Sequence, residues 1–326
     1  MKNKNKLSER FERFSYFLNT KVKDMSFLHK LNMVFDSLFG RIFFDVTIED
    51  YFQYEFYKKN WYGRSCYYTW GKRMKLTSQC NDVVDAMIFK DKTKFPQYFG
   101  GFMGRDSIDM RSTTKDEFIA FAKGHDRVFV KPIDGSFGVG TSIEDCDSHS
   151  VDALFSKLTG KPVIVEQLIK QHKELAQFNN TSTNSLRVVT FIKKNGTSEI
   201  MPGAILRLGR KGNIADNFHH RGIAAYVDLE TGIICSKGID KEGNRYVLHP
   251  DTKIPIVGFK IPQWEQIKEV ALKASSVCPT VRCVGWDITV TEEGRIVIIE
   301  GNDKADPDIA QMSSGEGVWH AYKSCM

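Results

Sequence analysis

The 326-residue chain contains no apolar run of membrane-spanning length, and its start, MKNKNKLSER, lacks the apolar stretch of a signal peptide. A cytoplasmic location is the expectation. Its seven cysteines (Cys66, Cys80, Cys146, Cys235, Cys278, Cys283 and Cys325) never form a C-x-x-C pair, and their number is odd. This argues against a disulfide framework or a structural zinc site and for free, buried thiols in a reducing compartment. No internal repeat or low-complexity segment is present. Nor is there a nucleic-acid recognition motif, and the basic residues behind the net charge of +6 are dispersed. Nucleic acid is therefore not an expected partner, whereas a mild positive bias suits an enzyme handling phosphates and anionic sugars.

What is present is an ordinary globular composition, long enough for two or three subdomains. Residues 1–70 are rich in Phe, Tyr and Lys. Leu7–Leu18 and Phe27–Phe43 repeat apolar residues at helical spacing and predict helices. Phe11, Phe14, Phe17, Phe27, Phe35 and Phe39 are expected in a core. A basic, aromatic face in weak peripheral contact with a membrane is the alternative. Further on, Arg127–Pro132 reads as a strand, Asp134–Thr141 as a glycine loop, Val151–Leu158 as a helix and Lys161–Glu166 as a second strand. Together they make a compact α+β lid. Arg187–Lys193, Ile200–Leu208 and Gly222–Asp228 follow as strands, the first two joined at Asn195-Gly196. Gln263–Ser275 is an amphipathic helix, and Val284–Thr291 and Arg295–Glu300 are the last strands.

The strongest chemistry lies in VGWDITVTEEGRIVIIEGN. A two-residue turn at Glu293-Gly294 opposes residues whose numbers sum to 587, which makes Asp287 and Glu300 cross-strand neighbours on one face. Two facing carboxylates in an apolar hairpin repel and call for compensation. A divalent cation supplies it, with Asn302 adding a neutral oxygen. Upstream, Lys131 precedes Asp-Gly-Ser-Phe-Gly-Val-Gly. Glycines turn backbone N–H groups toward an anion, Ser136 adds a hydroxyl, and the lysine adds a point charge for phosphate. The loop is neither a Walker A sequence nor a dinucleotide fingerprint. Val163–Leu168 ends a strand at which Glu166 can accept from an adenine amino group, with His172 and Glu174 in reach of a ribose. Arg187 and Arg207 sit inside apolar strands, where each needs an anionic partner. That partner is either a protein carboxylate or a phosphate.

In this order the pieces resemble the ATP-grasp superfamily, most closely the ATP-grasp proteins associated with sugar transfer and cell-surface polysaccharide gene clusters. The resembling stretches are DKTKF (91–95), FVKPIDGSFGVG (129–140), VEQLIKQHKEL (165–175), NSLRVVTF (184–191), LRLG (206–209) with DN (216–217), and VGWDI through IIEGN (284–302). The resemblance implies an α+β ATP-grasp fold. Nucleotide would lie between a small α+β lid and a larger, mainly antiparallel C-terminal sheet subdomain, with a helical N-terminal extension. The implied divisions are 1–70 for the extension, 71–125 for the N-terminal subdomain, 126–170 for the lid and 171–326 for the metal-bearing subdomain. Lys92 and Lys131 would be the nucleotide lysines, and Ser136, Phe137 and Gly138 part of the loop over the phosphates. Glu166, Gln167 and Leu168 would face adenine, and His172 and Glu174 the ribose. Asp287, Glu300 and Asn302 match the metal trio for Mg²⁺ or Mn²⁺.

The superfamily's usual reaction turns a carboxylate into an acyl-phosphate at the expense of ATP, after which an amine displaces phosphate. Here the implied partners are ATP and small carboxylate and amine substrates, an amino acid or a uronic acid among them. In D-alanine–D-alanine ligase an arginine lies two residues before the metal aspartate, but Gly285 stands there in this chain. Arg207 or Arg187 is the candidate to replace that charge as a catalytic residue. Arg221 also stands where a small residue is expected. A kinase acting on a hydroxyl and a nucleotide-binding regulator without turnover are the alternatives.

Overall fold

The computed structural model describes residues 6–134, 139–212 and 222–326. The sequence expectations for Ser136, Phe137, Gly138, DN (216–217) and Arg221 fall outside these residues.

Five helices come first: α1 Lys6–Thr20, α2 Phe27–Phe44, α3 Ile48–Gln53, α4 Trp61–Ser65 and α5 Trp70–Cys80. Side-chain caps define several of their starts. Ser26 accepts from the backbone of His29 to open α2, and Thr47 forms a capping box with Asp50 to open α3. The inner side of this region packs Met33, Phe44, Tyr51, Phe52 and Phe56 into one cluster, which Phe14 and Phe17 join. Four of the aromatics expected in the core are not there. Phe11, Phe27, Phe35 and Phe39 are solvent-exposed. Helical spacing fixes which residues share a face but not which face turns inward.

Helices α6 (Met87–Lys90) and α7 (Phe95–Met103) lead into the lid. Its strands are β1 Ser107–Asp109, β2 Arg127–Pro132, β3 Ser142–Asp145 and β4 Val163–Gln167, hydrogen-bonded in the order β1-β4-β2-β3. Helices α8 (Lys115–Ala122) and α9 (Val151–Leu158) pack Phe118, Leu154 and Leu158 against Val128, Val130 and Val165 of the sheet. The edge strand β1 comes from upstream of the glycine loop, which local sequence did not indicate.

After the short α10 (Lys173–Ala176) comes a second antiparallel sheet. Its strands are β5 Ser185–Ile192, β6 Ser198–Leu208, β7 Ile223–Tyr226, β8 Gly238–Ile239, β9 Arg245–Tyr246, β10 Cys283–Val290 and β11 Ile296–Asn302. The order is β11-β10-β5-β6-β7-β8-β9. Helix α11 (Trp264–Ser275) lays Trp264, Ile267 and Ala271 on one face, where Leu186, Val188, Leu206, Trp286 and Ile288 join the same core. Helices α12 (Asp308–Ser314) and α13 (Trp319–Ser324) close the other face. There Ile205, Ala224 and Ala310 share one cluster and Val189, Phe191 and Tyr322 another. Both faces of the sheet are thus covered, so a charged side chain pointing from its centre needs a partner.

All seven cysteines are free, with Cys80, Cys146, Cys278, Cys283 and Cys325 buried. Among the described residues, no helix is long and apolar enough to cross a membrane.

Candidate active site

The hairpin β10–β11 pairs Asp287 with Glu300. The turn is not the expected one. Thr291 pairs with Arg295 around Glu292, Glu293 and Gly294, with Gly294 at φ +78. Such a three-residue loop ends on a left-handed residue, which glycine adopts without strain. This register sums to 586 and holds through Ile288↔Ile298. A β-bulge at Ile299 then inserts one residue, and the pairing becomes Asp287↔Glu300. The carboxylates face each other because of the bulge, not because of the turn.

Across the sheet, Arg187 of β5 pairs directly with Asp287, and Ser185 pairs with Arg207 of β6. Directly opposed and alternate residues share a face, so Arg207, Arg187, Asp287 and Glu300 form one polar row. Asp287 is 2% exposed. Its Oδ1 accepts from Arg187 Nε, and its Oδ2 accepts from Arg187 Nη2 at 3.1 Å and from Arg207 Nη2 at 2.6 Å. Ser185 Oγ accepts from the same Arg207 Nη2 at 2.8 Å. Among the described residues, both arginines find an anionic partner in the Asp287 carboxylate. Burial pushes the Asp287 carboxyl up, but the two guanidiniums outweigh it and hold the group at about 2.

Glu300 differs. Its side chain reaches the surface, and no side-chain hydrogen bond or ion pair joins its carboxylate to a described residue. Desolvation by the surrounding protein, and then the Asp287 charge, push its carboxyl above the usual glutamate value. Asn302 lies one alternate position along β11, opposite Gly285, and its Oδ1 accepts from the Lys304 backbone at 2.9 Å.

Gly285 has a steric explanation. A Cβ there would stand 3.1 Å from Arg187 Cδ and 3.1 Å from Ala305 Cβ. The Arg187 stem occupies the room that a side chain at 285 would need.

The lid contributes its own charged group. Glu166, within β4, is 5% exposed and is flanked by Phe129 of β2 and Ser107 of β1. Its carboxylate accepts from Lys131 Nζ at 2.7 Å and from Arg105 Nε at 3.3 Å. Burial opposes its charge, yet Arg105 and Lys131 hold its pKa at about 2. Lys92 donates to the Pro132 carbonyl at 2.7 Å. Burial, and then the nearby Lys131 charge, lower the Lys92 pKa, while Glu300 and Glu166 oppose that shift. Lys92 also lines a cleft of about 330 Å³ with Thr93, Asp109, Arg111 and Ile164.

Arg105 carried no signal in the sequence. Its side chain is 3% exposed and lies between the two sheets. Besides Glu166 of the lid, it donates to the carbonyls of Met103, Ile298 and Ile299. The last two are the carbonyls of the bulged residue and of the residue before it, at the bulge that aligns Glu300. Apart from Met103, its partners are separated from it by 61, 193 and 194 residues, so no local pattern could reveal them.

From Gln167 the chain leaves the lid sheet and runs beside the hairpin turn. Lys170 accepts from the Glu292 backbone, Gln171 bridges to Thr291, and His172 donates its backbone N–H to Val290. His172 Nδ1 caps α10 by accepting from the Glu174 backbone at 3.3 Å. Glu174 is exposed, and Gln167 and Leu168 are half-buried. The structure therefore gathers Lys92, Lys131, Glu166, Arg187, Arg207, Asp287 and Glu300 around the seam between the sheets, with His172 and Glu174 at one end beyond the turn.

The sequence profile described as sugar-transfer-associated ATP-grasp matches residues 57–325. The chain belongs to this family. Its two sheets, the smaller carrying the glycine loop and the larger carrying the carboxylate hairpin, form an ATP-grasp fold. No curated protein matches the chain. Solved structures similar to this ATP-grasp protein include the ATP-grasp ligase PsnB, complexed with a phosphomimetic variant of its minimal precursor, Mg and ADP. That likeness has 13% identity, a TM-score of 0.40, and covers 70% of this chain and 53% of PsnB. The D-alanine-D-alanine ligase from Coxiella burnetii gives 12%, 0.43, 78% and 60% in the same terms. The N5-carboxyaminoimidazole ribonucleotide synthetase from Thermotoga maritima gives 10%, 0.42, 78% and 56%. The chain spans little more than half the length of these relatives. The family assignment rests on the profile match.

Proposed function

We propose that this ATP-grasp protein is an ATP-dependent carboxylate–amine ligase that works through an acyl-phosphate. The observation that carries the proposal is the meeting of Lys92 and Lys131 from one side of the seam with the Arg187–Asp287–Glu300 row from the other. Cations placed to hold a polyphosphate lie next to carboxylates suited to a hard cation. The division of the chain near 70, 125 and 170 belongs to the same reading, with β1 added to the lid.

The donor set fits magnesium. A carboxylate offers about four lone-pair sites. Asp287 commits three of them to the arginines, so one remains, while both Glu300 oxygens are open. Asn302 would add an amide oxygen. Bound there, the ion would supply charge stabilisation at the phosphates. Among the described residues, no group of three His, Cys, Asp or Glu side chains is placed to hold a metal ion, so the proposed site rests on two carboxylates and an amide.

In this reading Lys131 and Lys92 hold the phosphates. Gln167 and Leu168 present backbone to adenine. Glu166 acts from below by fixing Lys131, and His172 and Glu174 lie on the ribose side. Arg207 and Arg187 face the transferring phosphoryl group and take the place of the arginine that Gly285 excludes. A substrate carboxylate oxygen attacks the γ-phosphorus, the bond to the β-phosphate oxygen breaks, and ADP leaves. An amine then attacks the acyl carbon, phosphate leaves, and the amine gives up a proton to solvent. Because the anhydride hydrolyses in water, the seam must close over it. The substrate class is an amino acid or a uronic acid of surface-polysaccharide assembly, and the site of action is the cytoplasm.

Hydroxylamine tests this without knowledge of the natural amine. With candidate carboxylates, ATP and magnesium, a hydroxamate and ADP are expected, and Arg207→Ala should lower the hydroxamate yield at least tenfold. A phosphorylated alcohol formed without any carboxylate would overturn the ligase reading in favour of a kinase. Nucleotide binding with no turnover on any substrate would leave a regulator.

A further inference from the structure

Helix α2 is built the wrong way round for a helix that serves only its own core. Leu28, Leu31, Phe35, Leu38 and Ile42 follow alternating steps of three and four, which puts them in one stripe. That stripe faces outward. Leu28 is 70% exposed, Phe35 66% and Ile42 74%. Phe27, Phe39 and Phe43 widen it, while Met33, Gly40 and Phe44 hold the opposite side against the protein. Trp61, itself exposed, extends the stripe. Its ring lies 5.9 Å from Phe39 and 5.4 Å from Phe43, and Tyr62 beside it is also exposed. At 1.5 Å per residue the helix presents about 27 Å of continuous apolar surface. Exposed patches of this kind mark contact with another apolar body.

The charges decide which body. The acids near the stripe are already taken. Asp36 pairs with Arg64 and accepts from Tyr51, Asp45 pairs with Lys75, and Glu55 with Lys58. Of the remaining charges, Lys23 and Arg41 are exposed, and the half-buried Lys30 only bonds to the Lys23 carbonyl. The exposed Asp24 stands next to Lys23 in the chain. A second copy of α2 laid along the stripe would bring Lys30 and Arg41 against the same cations, and the acid of each helix, Asp36, is already held by Arg64 and Tyr51. An anionic lipid headgroup layer receives them all. It also accepts Phe and Leu at acyl depth and Trp61 and Tyr62 at the interface.

We propose that the outward face of α2, with Trp61 and Tyr62, docks this protein on an anionic membrane surface. The helix lies in the plane of the membrane and does not cross it. This is independent of the ligase reading, because the patch lies on the N-terminal helices and shares no residue with the nucleotide seam.

Sedimentation of the full chain with vesicles tests it. Vesicles of phosphatidylcholine with about 30% phosphatidylserine should carry the protein down. Phosphatidylcholine alone should bind it at least tenfold more weakly. Replacing Leu28, Phe35 and Ile42 together by serine should abolish binding. These side chains are exposed, so the variant should keep the wild-type circular dichroism and melting point. Lys30→Glu combined with Arg41→Glu should weaken binding to the anionic vesicles more than tenfold. Each cation near such a surface strengthens binding about fivefold, so reversing two of them removes and opposes that attraction. No sedimentation with anionic vesicles would overturn the proposal. So would a wild-type dimer that the serine variant converts to monomer without any change in vesicle binding, because the face would then belong to a second copy.

Discussion

Arg105→Met replaces a buried guanidinium by an apolar chain of similar length. The change removes one of two cations beside Glu166 and takes the guanidinium donor from the Ile298 and Ile299 carbonyls. Breaking a buried ion pair costs roughly 3–5 kcal/mol, and an unsatisfied buried carbonyl about 1–3 kcal/mol. Lys131 still holds Glu166, so the low end applies, and a loss of about 3 kcal/mol is expected from urea unfolding. The second effect reaches further. With the bulge carbonyls released, the offset that sets Glu300 opposite Asp287 loses its anchor. Residues that support metal ligands typically change metal affinity by about 10–100-fold when removed. The magnesium concentration that half-saturates nucleotide binding, measured by calorimetry, should rise within that range. Arg105→Lys keeps the charge but not the fork, and should recover part of the stability and little of the magnesium response. A variant that loses stability but keeps the wild-type magnesium dependence would refute the link between Arg105 and Glu300.

Three further expectations concern the same seam. Lys131→Ala should weaken ATP binding and lower turnover, because a phosphate contact is lost in both ground and transition states, and unchanged affinity in a folded variant would remove Lys131 from the nucleotide site. Gly285→Ala should cost about 1–3 kcal/mol and move Arg187, since the added carbon meets Arg187 and Ala305 at 3.1 Å, and a neutral melting-point shift would contradict this crowding. Acid should unfold the protein early. Glu166, held at about 2 against an ordinary 4.5, contributes stability of order 3 kcal/mol above its unfolded pKa, which is lost as pH falls through about 2. Urea midpoints should therefore decline from about pH 5 downward, and Glu166→Gln should flatten that decline.

The elements of the candidate site were legible where chemistry and spacing coincide. Periodicity placed β2, β4, β5, β6 and α11 within a few residues, and the facing carboxylates were named from the hairpin alone. The reasoning behind that pairing, however, contained two compensating departures. The turn has one more residue than expected, and the bulge at Ile299 shifts the register back. A bulge leaves no trace in Ile296–Ile299, where every residue is apolar and either register buries the same surface. Arg105 was invisible for a different reason. A single arginine in GRDSID gains its meaning from carbonyls almost two hundred residues away. The outward aromatics of α2 were open to both readings, because periodicity is identical for a stripe that faces in and one that faces out.

The charges around the seam also constrain what can enter it. Arg105, Arg187, Arg207, Lys92 and Lys131 stand against the carboxylates of Glu166, Asp287 and Glu300. Asp134 acts on Lys92 and Asp308 on Arg187 as further anions. Much of the positive charge at the seam is therefore already matched by the protein. On the proposed reading, uncomplexed triphosphate would meet the Asp287 and Glu300 carboxylates unscreened, and a triphosphate that carries its magnesium would not.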